Sequence, residues 1–226
     1  MFRVKICGIT TAKDAQFAAL AGADAIGLNF YPGSSRFVDP NSASQICRVV
    51  PKHVTKVGVF VQASPDEVLE KTILLGLDMI QLHGDEPVEY LRRLSELAPV
   101  AEKPWVYALR LGSESFAGLA AQLEPLRAIR SLAAVLVDAR VADAYGGTGV
   151  QVDWAGLAAH RAAFGSLPLV LAGGLTPFNV AEAIATVRPA AVDVASGVEN
   201  ESGKKDLLLV RAFCNTANQA LRALAG

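Results

Sequence analysis

Cysteine is scarce in this chain: Cys7, Cys47 and Cys214 form an odd set with no CxxC pair. That excludes a disulfide framework, offers no zinc-type ligand spacing, and fits reduced thiols in a cytoplasm. Charge of one sign is missing as well. The 21 Lys and Arg residues face 22 Asp and Glu, and no basic run exceeds two residues. A nucleic-acid binder would carry a basic face and a strongly basic pI, so no nucleic-acid partner is expected. Long apolar runs are absent too. No window reaches the ~18 uninterrupted apolar residues of a membrane span, and the opening MFRVKICGIT has no apolar stretch behind a charged segment. The expectation is a soluble, unprocessed, cytoplasmic protein with no membrane partner.

What the chain does have is apolar material at short, regular intervals. Hydrophobic residues make up 52% of its 226 positions, enough to exclude disorder and to build a large core. Short β-branched or apolar runs alternate with stretches of helical spacing: Arg3 to Cys7, Ala25 to Asn29, Thr55 to Phe60, Met79 to Leu82, Trp105 to Arg110, Ala134 to Asp138, Leu169 to Ala172 and Ala191 to Ala195. These strand ends recur about every 27 residues, close to the ~30 residues of a βαβ unit, and such alternation means a parallel sheet. Helix punctuation agrees. Ser64-Pro65-Asp66-Glu67 reads as an N-cap, a first-turn proline and an acidic first turn, while Gly22 and Gly76 stand where a left-handed C-cap belongs.

An internal repeat supports the count. Gly22-Ala23-Asp24-Ala25-Ile26 and Gly76-Leu77-Asp78-Met79-Ile80 make the same helix-to-strand join twice. Eight strands with no linker between them predict one domain over residues 1–226, a (β/α)8 TIM barrel. The competing doubly wound sheet would need a glycine fingerprint after the first strand, and Cys7-Gly8-Ile9-Thr10-Thr11 has a single glycine.

In such a barrel chemistry gathers at the C-terminal ends of the strands. Cys7 ends the first, on the same face as Lys5. A nearby ammonium and the following helix N-terminus would lower its pKa and make it a base or nucleophile; otherwise it is a buried structural thiol. Asp138 ends the sixth strand after an apolar run, where partial desolvation would raise its pKa and suit a general acid; the alternative is a loop cap. Cys47 and Cys214 fall on helices and read as structural. Asp14 and Asp24 read as helix-side charges.

Glycine-rich loops follow the last strands. Gly173-Gly174 and Ser196-Gly197 lie after strands seven and eight, the loops that bind phosphate in many barrels, and Gly146-Gly147-Thr148-Gly149 could add backbone donors or be a flexible loop. Arg36, after strand two, offers a bidentate fork for a carboxylate or phosphate, or is a surface arginine. His83, after strand four, is a proton shuttle, a hydroxyl binder or a hydrogen-bonded wall residue. Asp193, inside strand eight, needs a partner for its buried charge.

Together these segments resemble the phosphoribosylanthranilate isomerases of tryptophan biosynthesis. The resemblance rests on Lys5-Ile6-Cys7-Gly8-Ile9-Thr10, Ser35-Arg36-Phe37-Val38, Gln81-Leu82-His83-Gly84, Val137-Asp138-Ala139, Gly146 to Gly149 with Asp153-Trp154, Leu171 to Leu175, and Asp193 to Glu199 with Lys204-Lys205-Asp206. It covers nearly the whole chain. Departures occur at Ser34-Ser35, where Ser-Pro is usual, and at Val150-Gln151-Val152, where the family is more polar.

The resemblance implies an Amadori rearrangement with Cys7 as general base and Asp138 as general acid. It implies Arg36 on the anthranilate carboxylate, phosphate held by the last loops, and no cofactor, because the iminium intermediate is its own electron sink. The full candidate binding set is Arg36, His83, Asp193, Gly147, Gly174, Ser196 and Gly197. The partner is a small phosphorylated substrate, and the expected assembly is a monomer or homodimer. Three rivals remain: the histidine-pathway isomerase, which resembles a pair of aspartates where this chain has Cys7 and Asp138; a Schiff-base lyase using Lys5; and a barrel that binds phosphometabolites without catalysis.

Overall fold

The computed structural model describes residues 1–83, 86–111, 116–139 and 151–224. Eight parallel strands, β1 (Val4–Cys7), β2 (Ala25–Asn29), β3 (Thr55–Phe60), β4 (Met79–Leu82), β5 (Trp105–Leu111), β6 (Leu132–Ala139), β7 (Leu169–Leu171) and β8 (Ala191–Val194), pair in chain order into a closed barrel. The seam is the pairing of β8 with β1, where Lys5 stands in register with Asp193. Around the barrel lie α1 (Ala12–Leu20), α2 (Pro40–Val49), α3 (Pro65–Leu75), α4 (Val88–Leu94), α5 (Leu119–Leu123), α6 (Trp154–Ala159), α7 (Val180–Val187) and α8 (Leu207–Ala223). Every strand falls where the sequence puts it, with bounds shifted by two residues at most. What sequence reading omits is a small antiparallel hairpin after β8, made of β9 (Glu199–Glu201) and β10 (Lys204–Lys205). Its strands are short, polar and without an apolar alternation, so no periodic signal marks them.

The punctuation residues act as their chemistry requires. Ser64 caps α3 by accepting from the Glu67 N–H, Pro65 opens the helix, and Gly76 ends it in the left-handed conformation at φ 57°. Cys47 lies on α2 and Cys214 on α8, both far from neutral ionisation: burial pushes the Cys214 thiol up to about 12 and raises that of Cys47. Among the described residues no helix is long and apolar enough to cross a membrane.

Strand alternation divides the core in two. Outward residues such as Ile6, Ile26, Leu28, Ile80, Val135 and Val137 pack under the helices. Inward residues at the lower end are small and apolar, among them Ala25, Val57, Ala134, Val170 and Ala191, and they form a separate cluster. Further up the same inward rows the residues turn polar: Lys5 and Cys7, Asn29, Gln81, Asp138 and Asp193. The barrel therefore closes over a dry floor and opens on a polar mouth.

The Gly-x-Asp repeat is a bracket that joins each helix to the floor. Asp24 Oδ2 accepts from the backbone N–H groups of both Arg3 and Val4, and Asp78 Oδ2 accepts from that of Lys56. Asp24 is thus a strand-end cap and not the free helix-side charge that its sequence position suggests. A charged acceptor on a backbone donor contributes about 1.5 to 3 kcal/mol where it is sheltered and less where water competes. Asp24→Ala is therefore expected to destabilise the protein by about 2 kcal/mol, and Asp78→Ala, whose side chain is 47% exposed, by less than half of that. Urea unfolding of the two variants checks the order; an equal loss would show that the bracket geometry is not what matters.

Candidate active site

Inward-facing residues of six strands and the loops that follow β2, β4, β7 and β8 converge on one cavity at the barrel mouth. Cys7, Asn29, Arg36, Gln81, His83, Asp138, Gly173, Gly174, Asp193, Ser196 and Gly197 are in its wall. It holds about 610 Å³ of empty space, its open mouth included. Eight of the nine sequence-derived candidates meet here; Gly147 lies outside the described residues.

Cys7 and Lys5 occupy one hollow beside β2. A Cβ at Gly27, the register partner of Cys7, would lie 2.7 Å from the Cys7 sulfur and 3.1 Å from Lys5 Cε, so only glycine leaves room for both side chains. Lys5 is fully buried and donates to Asp193 Oδ1 at 2.9 Å. Burial works against its charge, but the Asp193 carboxylate and then the Cys7 sulfur outweigh it and hold its pKa above the ordinary lysine value. The partner that a buried Asp193 needs is thus Lys5.

The thiol itself departs from expectation. Burial is the largest influence on Cys7 and pushes its pKa above the usual thiol range, although Lys5 and Lys205 pull it down; Asp193 adds to the rise. The ammonium is where the sequence suggests, yet it already neutralises Asp193, so its pull on the thiol is shared. Burial thus favours the thiol over the thiolate at Cys7.

Asp138 behaves as expected. Burial raises its pKa to about 6, assisted by Asp193 and opposed by the Ala139 N–H, Lys5 and Arg110. The opposing N–H donates to Asp138 Oδ1 at 2.8 Å, and Arg110 is its register partner on β5, a neighbour not singled out from sequence because it closes an ordinary-looking strand. His83 stands on the other side. Its Nδ1 is 3.3 Å from the Gln81 side-chain amide, and its Nε2 lies 3.6 Å from Asp138 Oδ2. His83 is a wall residue held in orientation and aimed at the acid.

The loops after β7 and β8 supply backbone donors. The N–H groups of Gly174, Ser196 and Gly197 have no acceptor among the described residues. Asn179 shapes the first loop by donating to Gly174 O at 2.9 Å and accepting from the Thr176 N–H at 2.7 Å. The second packs directly on the first: a Cβ at Gly197 would collide with Leu175 O. Any larger residue there would part the two loops.

Arg36 lies across the backbone that follows Cys7. Gly8 has φ 72°, and a Cβ on it would meet Arg36 Cδ at 2.5 Å, which explains the glycine after the cysteine. The guanidinium is engaged by Glu199, with Nε donating to Oε1 at 2.8 Å and Nη2 to Oε2 at 2.7 Å. Glu199 is a residue to which sequence reasoning assigned no role. Its signal is the segment Ser196 to Glu199 followed by Lys204-Lys205, where a carboxylate and a lysine recur on a hairpin too short to need them.

Asp138 carries a stability consequence with a definite sign. Its folded pKa of about 6 exceeds the ordinary aspartate value of 3.8, so the folded state keeps a proton that the unfolded chain releases between these pH values. Stability present at low pH is lost as pH rises through 6. Asp138→Asn cannot ionise, and is expected to be about 2 to 3 kcal/mol more stable than the parent at pH 7.5 and equal to it near pH 4. Thermal unfolding at the two pH values checks this; a gain of the same size at both would assign it to packing.

The geometry agrees with what comparison with known proteins finds. Residues 4–216 match the family model described as N-(5'-phosphoribosyl)anthranilate (PRA) isomerase. An N-(5'-phosphoribosyl)anthranilate isomerase of Geobacter sulfurreducens is 45% identical over 217 residues, which cover 96% of this chain and 98% of that protein. The crystal structure of phosphoribosyl anthranilate isomerase from Thermotoga maritima superposes with a TM-score of 0.82 at 39% identity, covering 97% of this chain and all of that one. A second, solved in complex with reduced 1-(o-carboxyphenylamino)-1-deoxyribulose 5-phosphate, gives 0.79 at 37% identity with the same coverage. This chain belongs to the N-(5'-phosphoribosyl)anthranilate isomerase family.

Proposed function

We propose that this protein is the isomerase of tryptophan biosynthesis that converts N-(5'-phosphoribosyl)anthranilate to 1-(2-carboxyphenylamino)-1-deoxyribulose 5-phosphate. The observation that carries the reading is the pairing of Cys7 and a proton-retaining Asp138 on one cavity, at the ends of β1 and β6. An aldose-to-ketose shift needs an acid and a base that reach the same sugar, and no redox partner.

The steps follow from these two groups. Asp138 gives its proton to the furanose oxygen as the C1'–O bond breaks, and the nitrogen lone pair forms the C1'=N iminium. The Cys7 thiolate then removes the C2' proton; the C–H pair becomes the C1'=C2' bond and the iminium π pair returns to nitrogen. The resulting enolamine takes a proton at C1' while its C2' hydroxyl gives one up, the O–H pair becoming the C2'=O bond, and the product is the ketone. With a pKa of about 6, Asp138 is poised near neutral pH for the first transfer. Cys7 needs help to ionise, and the cationic iminium supplies it beside Lys5 and Lys205, which already pull the thiol down. Arg36 would take the anthranilate carboxylate, while the N–H groups of Gly174, Ser196 and Gly197 would hold the phosphate. His83 would orient the acid, and Asp193 would act through Lys5. The histidine-pathway rival is disfavoured by a cysteine at the first position. The lyase rival is disfavoured by Lys5 itself, whose raised pKa keeps the amine protonated and poor as a nucleophile.

Residues 1–226 then form one (β/α)8 domain, and every residue named comes from a single chain, so the reading serves a monomer or a homodimer alike. Three cysteines without a disulfide among them suit a cytoplasmic location.

The test is rescue of a tryptophan auxotroph that lacks this isomerase, with turnover followed on purified protein. Cys7→Ser and Asp138→Asn are each expected to lower kcat by at least about a hundredfold, the scale of a lost acid or base, while the reduced product analogue still binds. Turnover near the parent level in either variant would remove that residue from its role. Inorganic phosphate is expected to inhibit competitively and to raise the melting temperature, by the equivalent of about 2.7 kcal/mol at a hundredfold excess over Kd. Phosphate should do so equally in Cys7→Ser; non-competitive inhibition would put the anion elsewhere.

A further inference from the structure

Arg36 is held from outside the cavity it faces. Its Nε and Nη2 edge is occupied by both oxygens of Glu199, while Nη1 makes no hydrogen bond among the described residues. Glu199 is in turn fixed by Lys205, whose Nζ donates to Glu199 Oε1 at 2.6 Å and to Ala195 O at 3.0 Å. The three side chains are sealed: 11% of Arg36, 4% of Glu199 and 1% of Lys205 remains exposed. Arg36 borders the cavity, and Glu199 and Lys205 do not.

The hairpin that carries them is braced against the loop that carries Arg36 and against the loop after β1. Ser35 Oγ and Ser202 Oγ are 2.7 Å apart, and Thr10 Oγ1 donates to Gly203 O at 2.9 Å. A chain of contacts therefore runs from Ala195, beside the phosphate loop, through Lys205 and Glu199 to Arg36 at the other end of the cavity. Two cations and one carboxylate leave a net charge of +1, enough for one more anion. A guanidinium has two edges able to grip a carboxylate in parallel, and Glu199 has taken one.

We propose that Glu199, seated on Lys205, is a positioning residue that sets ring-carboxylate specificity: by gripping the Nε/Nη2 edge of Arg36 it turns the Nη1/Nη2 edge to the cavity. This rests on the assignment of Arg36 to the substrate carboxylate. Ligands with an anionic group on the aromatic ring meet a fixed fork whose ordering cost is already met by the protein. The opposite arrangement, in which substrate must pull Arg36 off Glu199, would break two charge-assisted hydrogen bonds and strip a buried carboxylate of one of its cations.

The test compares two probes, reduced 1-(o-carboxyphenylamino)-1-deoxyribulose 5-phosphate and the same compound without the ring carboxylate. Their Kd values are measured on the parent, Glu199→Gln, Arg36→Met and the double variant, together with kcat and KM for substrate. Glu199→Gln keeps the shape but loses the charge and one acceptor. It is expected to weaken the carboxylate probe by about tenfold and to leave the other within about twofold. KM should rise with kcat held. Arg36→Met should erase the preference between probes, and adding Glu199→Gln to it should change nothing further.

Equal weakening of both probes by Glu199→Gln would make Glu199 merely structural and overturn the proposal. Tighter binding of the carboxylate probe would also overturn it, by making Glu199 a competitor for the fork. If Arg36→Met keeps the preference, the assignment of Arg36 itself falls, a result separable from the other two. Should Glu199→Gln fail to fold, Lys205→Met carries the same measurement: it removes the tether to Ala195 and the spare positive charge, and a carboxylate preference unchanged in it would overturn the proposal.

Discussion

The ion pair between Lys5 and Asp193 is the interaction on which the rest of this protein depends. It joins the first strand to the last at the seam of the barrel, in a position from which water is excluded. Either charge alone would be untenable there, since removing one partner of a buried pair leaves the other desolvated and uncompensated. Together they stand in the inward rows above the small apolar residues of the floor and next to the cavity wall. Chain closure and the electrostatic setting of the site are thus one arrangement. The same Lys5 acts on Cys7, and both members of the pair act on Asp138.

The proposed acid and the proposed base are shifted in one direction by one cause. Burial raises the pKa of both Cys7 and Asp138, and it dominates every charge nearby. In the proposed reaction the rise is useful for Asp138, because a pKa of about 6 leaves part of the population protonated near neutrality and able to deliver the proton. For Cys7 it is a cost that the proposed reaction relieves, since the positive charge made by the first proton transfer would arise where the second needs it. The order of the two steps is therefore written into the dielectric of the cavity. A carboxylate retained at a buried site against its own solvation is a common form of the exchange of stability for activity.

The mouth of the barrel is built by loops that lean on one another, so that each end of the cavity is fixed by the other. The loop after β8 rests on the one after β7 through Gly197, and its hairpin grips the loop after β2 through Glu199 and Ser202 and the loop after β1 through Gly203. Arg36 in turn lies on Gly8, the residue that follows Cys7. Such mutual bracing holds polar groups at set positions on segments that have no regular structure of their own.

Much of this was legible in the chain. Short apolar or β-branched runs such as Ala25 to Asn29 and Thr55 to Phe60 named their own strands, because a strand buried on both faces is short and largely apolar. The Gly-x-Asp joins, Cys7, Asp138 and the late glycines followed from counting strands and asking what ends them, since a parallel barrel brings all its C-terminal strand ends together. Sequence also carried the resemblance to the isomerase family in motifs spread over nearly the whole chain. It did not reveal that Asp193 belongs to Lys5, that Glu199 holds Arg36, or that the Cys7 pKa goes up. The first two join groups 188 and 163 positions apart, and the third depends on how completely water is excluded; neither distance nor dielectric is a property of local spacing. The fold was set by patterns that repeat along the chain; the chemistry of the site was decided by pairings that only closure of the barrel creates.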